Sequence, residues 1–525
     1  MTEIQREISR RVPAVQAGTR LSAWNGALVS GILLAAALGI GAYLRVYQLN
    51  YLGYNTDEAV YAGQAAAIAG VPVLKDLFPI FRAHPLLFQF VLSLLFRYGF
   101  NDLWGRLIAA GVGMGTVLMT FALGKKLYGS FAGGLAALFM ALMPYHVVVS
   151  RQVLLDGPMT FFATTTLYML ARFGASKGRG IWLYATGAAM GLTFLSKETG
   201  IVLLGGIYAF LALAREIRIK IIDLVIAMVI MVVVIAPFPI SMSLAGGSNT
   251  GRQYLIWQLF RRANHEWTFY PTHVPPAIGW VVVACALLGV ILLWKRNSWP
   301  VKLLLSWIIV PAIFFQLWPT KGFQYLLPIA PAVAVLGARF IALWAPGPIR
   351  AFRRSFSLAW MNALIGVVAV FSMGLSSWQL VQPSTSASFL AGTGGVPGGR
   401  EAGAWVEAHV PSGSVMLAVG PSMANIIEFY GHRKVFGLSV SPNPLFRNPS
   451  YTPINNPDLY LRKAEIQYIV WDSFSAERTP FFSSKLLEYV QKYNGRVAHI
   501  QSVLVTGPDG KSVAKPVIII YEVRP

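Results

Sequence analysis

A single cysteine, Cys285, stands among 525 residues and lies inside an apolar run, which excludes an intramolecular disulfide and any zinc site built on cysteine clusters. Charge is scarce too. Asp, Glu, Lys and Arg make up 12% of the chain against 55% hydrophobic residues, and the mean hydropathy is +0.57, too apolar for an ordinary soluble protein of this length. Acidic residues are the rarer sign, 21 against 43 Lys and Arg, for a formal net charge of +22. Such an excess can mark nucleic-acid binding, yet here the basic residues fall in short clusters between apolar runs rather than along one basic domain. That pattern excludes a nucleic-acid partner and fits a protein oriented in a membrane, with lipids as neighbours. No internal repeat is visible.

The N-terminal segment 1–23 is polar and basic (Arg6, Arg10, Arg11, Arg20). The apolar stretch that follows is too long for a signal-peptide core and lacks a clear small-residue cleavage site, so it reads as a retained first span. A membrane helix needs about 20 mostly apolar residues, and spans are expected near 24–46, 102–126, 130–149, 158–173, 181–196, 200–214, 221–243, 276–294, 301–318, 323–344 and 357–379. The run in 84–98 is short for a crossing. If it lies along the surface, the clusters Lys125/Lys126, Arg172/Lys177/Arg179, Arg215/Arg218/Lys220, Lys295/Arg296 and Arg350/Arg353/Arg354 all fall on the N-terminal side; if it crosses, they all fall opposite. The positive-inside rule then favours about eleven spans, a cytoplasmic N-terminus and an outward C-terminus. The expected organisation is a transmembrane domain over 24–379, a Ser/Thr/Gly/Pro-rich linker over 380–399, and an extracytoplasmic α/β domain over 400–525. Strands are expected at 415–419, 466–471, 500–505 and 517–523, with helices near 401–409 and 485–493.

Sorted by this topology, the ionisable residues near span ends collect outside. Asp57, Glu58 and His84 belong to the first outward loop, Asp156 follows the third span, and Lys197 and Glu198 follow the fifth. Arg261, Arg262, His265 and Glu266 lie in the loop 244–275, and Lys321 precedes the tenth span. Ionisable groups at membrane depth are costly and mark function, so this one-sided set is the candidate site. Each member also has an ordinary reading. Asp57-Glu58 suits the start of a Thr-capped amphipathic helix, His84-Pro85 a loop-to-helix junction, Lys321 a snorkelling lysine, and the aromatic loop 257–270 an interfacial anchor. The Arg261-Arg262 pair sits where positive charge is disfavoured, which calls for a local anion.

These motifs occur in an order that resembles the polyprenyl- and dolichyl-phosphate-sugar transferases of the GT-C superfamily, particularly protein O-mannosyltransferases and the lipid A aminoarabinose transferase. The resemblance runs through NTDEAVYAGQAAAIAG (55–70), HPLLFQFVLSLLFRYGFNDLWGRL (84–107), GKKLYG (124–129), SRQVLLDGPMTFF (150–162), SKETG (196–200) and KGFQYLLPIAP (321–331). It implies a GT-C-like membrane domain, surface-lying helices in the first outward loop, and a polyprenyl-phosphate-linked monosaccharide donor in a prokaryotic cell membrane. The acceptor the resemblance implies is a hydroxyl of a lipid, a glycan or a protein, attacking with inversion. Asp57 matches the catalytic acidic position and Asp156 a second one; Glu58 joins them as a candidate. His84, Arg261, Arg262, Lys321 and Tyr325 are candidates for binding donor phosphate, and Tyr61, Lys197, Glu198, His265 and Glu266 are further site candidates. No obligatory cofactor is expected, although Asp57, Glu58 and Asp156 are the ligand types a divalent cation takes. Many relatives carry a basic residue between the Asp-Glu pair and the following Tyr, whereas this chain has Ala59-Val60 before Tyr61.

Two other functions fit many spans with outward charges. A transporter or flippase would carry polar groups at mid-membrane in interrupted helices, with repeated halves. A noncatalytic scaffold would leave the outward set without purpose.

Overall fold

The computed structural model describes residues 15–80, 84–246, 248–293, 298–344, 349–351, 354–356, 360–383, 397–506 and 512–524. Arg6, Arg10, Arg11, Lys295, Arg296, Arg353 and most of the expected linker lie outside them. Within them the chain is a helical assembly followed by a sheet domain. The helices are α1 (Val15–Val46), α2 (Thr56–Ala69), α3 (Leu87–Phe96), α4 (Asp102–Tyr128), α5 (Ser130–Leu142), α6 (Pro144–Ser150), α7 (Asp156–Ala175), α8 (Gly180–Ser196), α9 (Leu203–Leu213), α10 (Ile221–Ile235), α11 (Pro237–Leu244), α12 (Ser248–Leu259), α13 (Phe269–Ile278), α14 (Trp280–Leu292), α15 (Trp299–Leu317), α16 (Ala330–Leu343) and α17 (Trp360–Val381). Two 3₁₀ segments, Glu198–Val202 and Phe323–Ile329, lead into α9 and α16.

Among the described residues six helices are long and apolar enough to cross a bilayer, or eight if each of two bent pairs is one span. The rest of the expected eleven, at α7, α8 and α9, are also helical. Joined α10 and α11 show why lipid is required: only 11% of their most apolar window is buried inside the protein, so most of its apolar surface needs a nonaqueous solvent. Helix α3 has ten residues, a rise of about 15 Å, half the hydrocarbon thickness. It is too short to cross, in keeping with a surface-lying segment. The span expected at 276–294 is corrected: the chain turns by 96° between α13 and α14 at Gly279, whose φ of 105° suits a residue without Cβ. Pro275 and Pro276 precede the turn, and the straight apolar helix begins at Trp280.

Helix α7 separates two ends of the assembly. Asp156 opens it and Arg172 lies in its last turn, about 24 Å away along the axis. Near Arg172, Gly178 packs against the Arg218 backbone and Lys302 pairs with Glu216 at 3.0 Å, so three polar turns meet there. At the Asp156 end gather the candidate site residues.

The C-terminal part alternates helix and strand: α18 (Gly399–His409), β3 (Val415–Ala418), α19 (Pro421–Gly431), β4 (Lys434–Gly437), α20 (Pro457–Arg462), β5 (Tyr468–Asp472), α21 (Ser473–Arg478), α22 (Pro480–Lys492), β6 (Arg496–Thr506) and β7 (Ser512–Glu522). A short hairpin, β1 (Ile349–Ala351) with β2 (Arg354–Phe356), precedes it. The mixed sheet runs β4-β3-β5-β7-β6, parallel across β4, β3 and β5 and antiparallel thereafter. Leu417 lies opposite Ile469, and Val470 opposite Ile520, so buried apolar residues meet across the central strands. All four expected strands are present; β4 and α19 were not expected.

Helix α19 docks this domain on the first loop. Its Asn425 Nδ2 donates to Thr56 Oγ1 at 3.1 Å, and the Tyr430 hydroxyl accepts from the Tyr54 amide at 2.6 Å while donating to Asp102 Oδ2 at 2.5 Å. Arg400, on α18, bonds Leu52 O at 2.8 Å and pairs with the same Asp102 carboxylate at 2.9 Å. The Phe429 ring packs against Tyr54, Phe78 and Phe100.

Candidate active site

Helix α2 positions the first acidic pair. Its N-cap is Asn55, not the expected Thr56: Asn55 Oδ1 accepts from Glu58 N at 3.0 Å, and Glu58 Oε2 accepts from Asn55 N at 3.1 Å, a reciprocal capping box. At the far end Gly70, with φ of 94°, closes the helix in a left-handed turn. Between them half of the residues are Ala or Gly, and these small side chains let α2 sink beneath its neighbours; Gly63 lies directly on the Phe78 ring. Gln89 of α3 donates to Gln64 Oε1 at 3.2 Å, fixing the underside.

Helical spacing places Asp57, Tyr61 and Gln64 on one face of α2. That face lines a cleft of about 70 Å³ together with His84 and, from the C-terminal domain, Asn448, Ser450 and Tyr451. Among the described residues no side chain or backbone group hydrogen-bonds or ion-pairs with the Asp57 carboxylate. Burial holds its pKa above the ordinary carboxylate value, against the opposite pull of Lys197 and His84. Burial likewise raises the Tyr61 hydroxyl, with the Asp57 charge adding to the effect.

Glu58 points the other way. Its Oε1 accepts from Arg106 Nε at 2.8 Å and Val153 N at 3.0 Å; its Oε2 accepts from Arg106 Nη2 at 2.6 Å and Asn55 Nδ2 at 2.9 Å. Arg106 spends its other N–H groups on the carbonyls of Leu49, Leu52 and Gly53, at 3.0, 2.6 and 2.9 Å. The guanidinium therefore closes the incoming loop onto α4. Gly105, beside it, touches the Tyr54 hydroxyl where any Cβ would collide.

The second acidic position is held by a cation. Lys197 Nζ lies 2.9 Å from both oxygens of Asp156; both residues are buried, and the ammonium sits 5.0 Å from the Tyr325 ring centroid. Glu198, the next residue, bonds His84 Nδ1 at 2.8 Å and Tyr254 OH at 3.4 Å. The His84 ring stands edge-on to Tyr61 and Tyr254, at 6.0 and 5.4 Å. Asp57, Tyr61, His84, Asp156, Lys197, Glu198 and Tyr325 thus form one neighbourhood, drawn from five separate stretches of chain.

The loop 257–270 contributes less directly. Arg261 stacks on Trp257 at 4.4 Å and reaches Gln258 Oε1 at 3.2 Å; Gln258 in turn donates to Tyr254 OH at 2.5 Å, so Arg261 borders the cluster. Arg262 leaves it, resting over Phe446 of the C-terminal domain at 4.8 Å. His265 stacks on Phe269 at 4.1 Å, and the Glu266 carbonyl accepts from Phe269 N at 3.2 Å. Lys321 is buried, with Nζ on the carbonyls of Gln316 and Trp318 at 2.9 and 3.2 Å. Arg106, Tyr254 and the Asn448–Tyr451 wall are participants that sequence reasoning passed over. Arg106 had a signal, a lone arginine in an apolar run; the others had none.

The fold and this cluster define a class: the chain has the fold of the GT-C glycosyltransferase superfamily. It overlays the aminoarabinose transferase ArnT from Cupriavidus metallidurans in the apo state with a TM-score of 0.64 at 14% identity, covering 93% of this chain and 97% of that one. The structure of the same protein bound to undecaprenyl phosphate gives 0.63 at 13% identity, with the same coverage. In sequence, residues 83–240 match the dolichyl-phosphate-mannose-protein mannosyltransferase family. The undecaprenyl phosphate-alpha-4-amino-4-deoxy-L-arabinose arabinosyl transferase of Aeromonas salmonicida is 27% identical over 274 residues, 46% of this chain and 45% of the relative. The chain spans about half the length of the curated relatives of that name. Among the described residues no three His, Cys, Asp or Glu side chains gather to hold a metal ion.

Proposed function

We propose that the protein transfers a monosaccharide from a polyprenyl-phosphate donor to an acceptor hydroxyl on the extracytoplasmic face. The observation that carries this reading is Asp57, a carboxylate without a partner among the described residues, in a cleft beside His84, on a fold shared with a transferase whose structure binds undecaprenyl phosphate. The carboxylate accepts the acceptor's hydroxyl proton as that oxygen forms a bond to the anomeric carbon. The anomeric C–O bond breaks, its electron pair passes to the lipid phosphate, and the centre inverts. Desolvation makes such a base stronger than an aqueous carboxylate.

His84 and Arg261 are the side chains we assign to the departing phosphate, where developing negative charge needs fixed donors. Lys197 and Asp156 act as a positioning pair behind them, with Tyr325 against the ammonium. Glu58 serves through Arg106, by fixing the loop that carries Asp57. Lys321, Arg262, His265 and Glu266 hold the loop 257–270 in place. The basic turns support a cytoplasmic N-terminus and an outward site under the positive-inside rule; a reporter fused at Gln382 should register outside.

The test is transfer of radiolabelled sugar from a polyprenyl-phosphate donor by the purified chain in lipid nanodiscs. Wild type is expected to transfer and Asp57→Asn to lose transfer while keeping its melting temperature; full activity in the variant removes Asp57 as the base. Chelation with EDTA is expected to leave the rate unchanged, since the charges assigned to phosphate are side chains.

A further inference from the structure

We propose that the larger cleft between the first loop and the C-terminal domain is the acceptor subsite, and that it takes the terminal rings of an uncharged glycan. This rests on the transferase reading above. The cleft, of about 150 Å³, lies between the turn that follows α2 and the α19–β4 side of the sheet, and Asp76, Asn425, Lys434 and Phe436 line it. Ser450 and Tyr451 line both this cleft and the smaller one that holds Asp57. A ligand in the larger cleft therefore needs only to pass that shared wall to present a hydroxyl to the carboxylate. Asn425 ties the two together from behind, through its bond to Thr56 next to Asp57.

The lining selects the chemistry. Amide, carboxylate, ammonium and hydroxyl groups are spread around the walls, a mixture of donors and acceptors that suits a molecule whose hydroxyls each do both. The rings of Phe436 and Tyr451 offer apolar faces to the C–H side of a sugar. An acyl chain would lie against amide, carboxylate, ammonium and hydroxyl groups that offer it no favourable contact. An anionic acceptor fares no better. Lys434, the one cation among the residues lining the cleft, is already committed to Glu428 at 2.9 Å, and the same carboxylate oxygen accepts from Val435 N at 3.1 Å. Asp76 leaves the rim negative.

The experiment is photo-crosslinking of the purified full chain in nanodiscs, followed by mass-spectrometric mapping. The probes are a neutral trisaccharide, maltotriose with a diazirine at its reducing end, its 6-phosphate, and a diazirine palmitate. The neutral trisaccharide is expected to label peptides carrying 424–437 and 448–452. Ala424→Trp, which fills the cleft, and Thr452→Trp, at an exposed lining position, should each cut that label at least tenfold, with binding of radiolabelled undecaprenyl phosphate unchanged. Label confined to other peptides, label unchanged in both variants, or preferential labelling of this cleft by the phosphate or the palmitate overturns the proposal. Wild-type chain that takes the trisaccharide here but does not bind undecaprenyl phosphate refutes the donor assignment and leaves a glycan site standing; the reverse result refutes the glycan site alone.

Discussion

The first turn of α2 separates two environments. On the cleft side Asp57 has no hydrogen-bond or ion-pair partner among the described residues; on the packed side Glu58, one residue on, is 1% exposed and met by the guanidinium of Arg106, two backbone amides and the Asn55 side chain. The two residues carry the same functional group in the same helix terminus. What differs is how many donors reach each, and that count decides which carboxylate can take a proton. A carboxylate whose lone pairs are filled by a buried guanidinium holds structure, whereas one that no such donor reaches is available for chemistry.

The comparison can be broken from either side. Asp57→Asn is expected to lower the transfer rate by about 10²–10⁴-fold, the range for loss of a general base, with little change in thermal unfolding; a strongly lowered melting temperature would show Asp57 to be structural after all. Glu58→Gln should behave in the opposite way. Removing one member of a buried ion pair costs about 3–5 kcal/mol, so the variant should melt earlier in detergent, and a double-mutant cycle with Arg106→Gln should show strong coupling. An undiminished melting temperature would contradict the assignment of Glu58 to the loop clamp.

The acidity of Asp57 supplies a subtler measurement. Its folded pKa is raised by burial, and the base works only when ionised, so transfer should be lost as pH falls through a value above the ordinary aspartate range. An acid limb at or below that range would indicate a well-solvated carboxylate. The same raised pKa means that any stability linked to Asp57 is present at low pH and fades as pH rises through the folded value. The smallest effect belongs to the docking contact: Asn425→Ala, which removes one side-chain hydrogen bond to Thr56, should cost about 1 kcal/mol, read as a small drop in melting temperature.

The sequence made the apolar spans legible because lipid solvation leaves a compositional trace over about 20 residues at a time. It also marked both acidic positions and His84, which sit at helix or loop boundaries where an ionisable group stands out. It did not reveal Glu58's role, because that depends on Arg106, 48 residues away. Nor did it mark β4, a four-residue strand one turn beyond Gly431, or α19, whose apolar run reads equally as strand or helix. The differing surroundings of the outward basic residues were hidden for a related reason. Charges judged by side of the membrane looked alike, yet Arg261 borders the cluster while Lys321 is capped by carbonyls and Arg262 lies on Phe446.

The bond from Tyr54 to Tyr430 spans 376 positions of chain, and it carries a consequence for biogenesis. A ribosome delivers the Asp57 loop to the membrane early, but the wall that completes its cleft emerges only after the last span has been placed. An immature chain would hold Asp57 in an unfinished basin open to solvent. The cleft would therefore close only once the C-terminal domain has joined the membrane helices, an order set by the sequence itself.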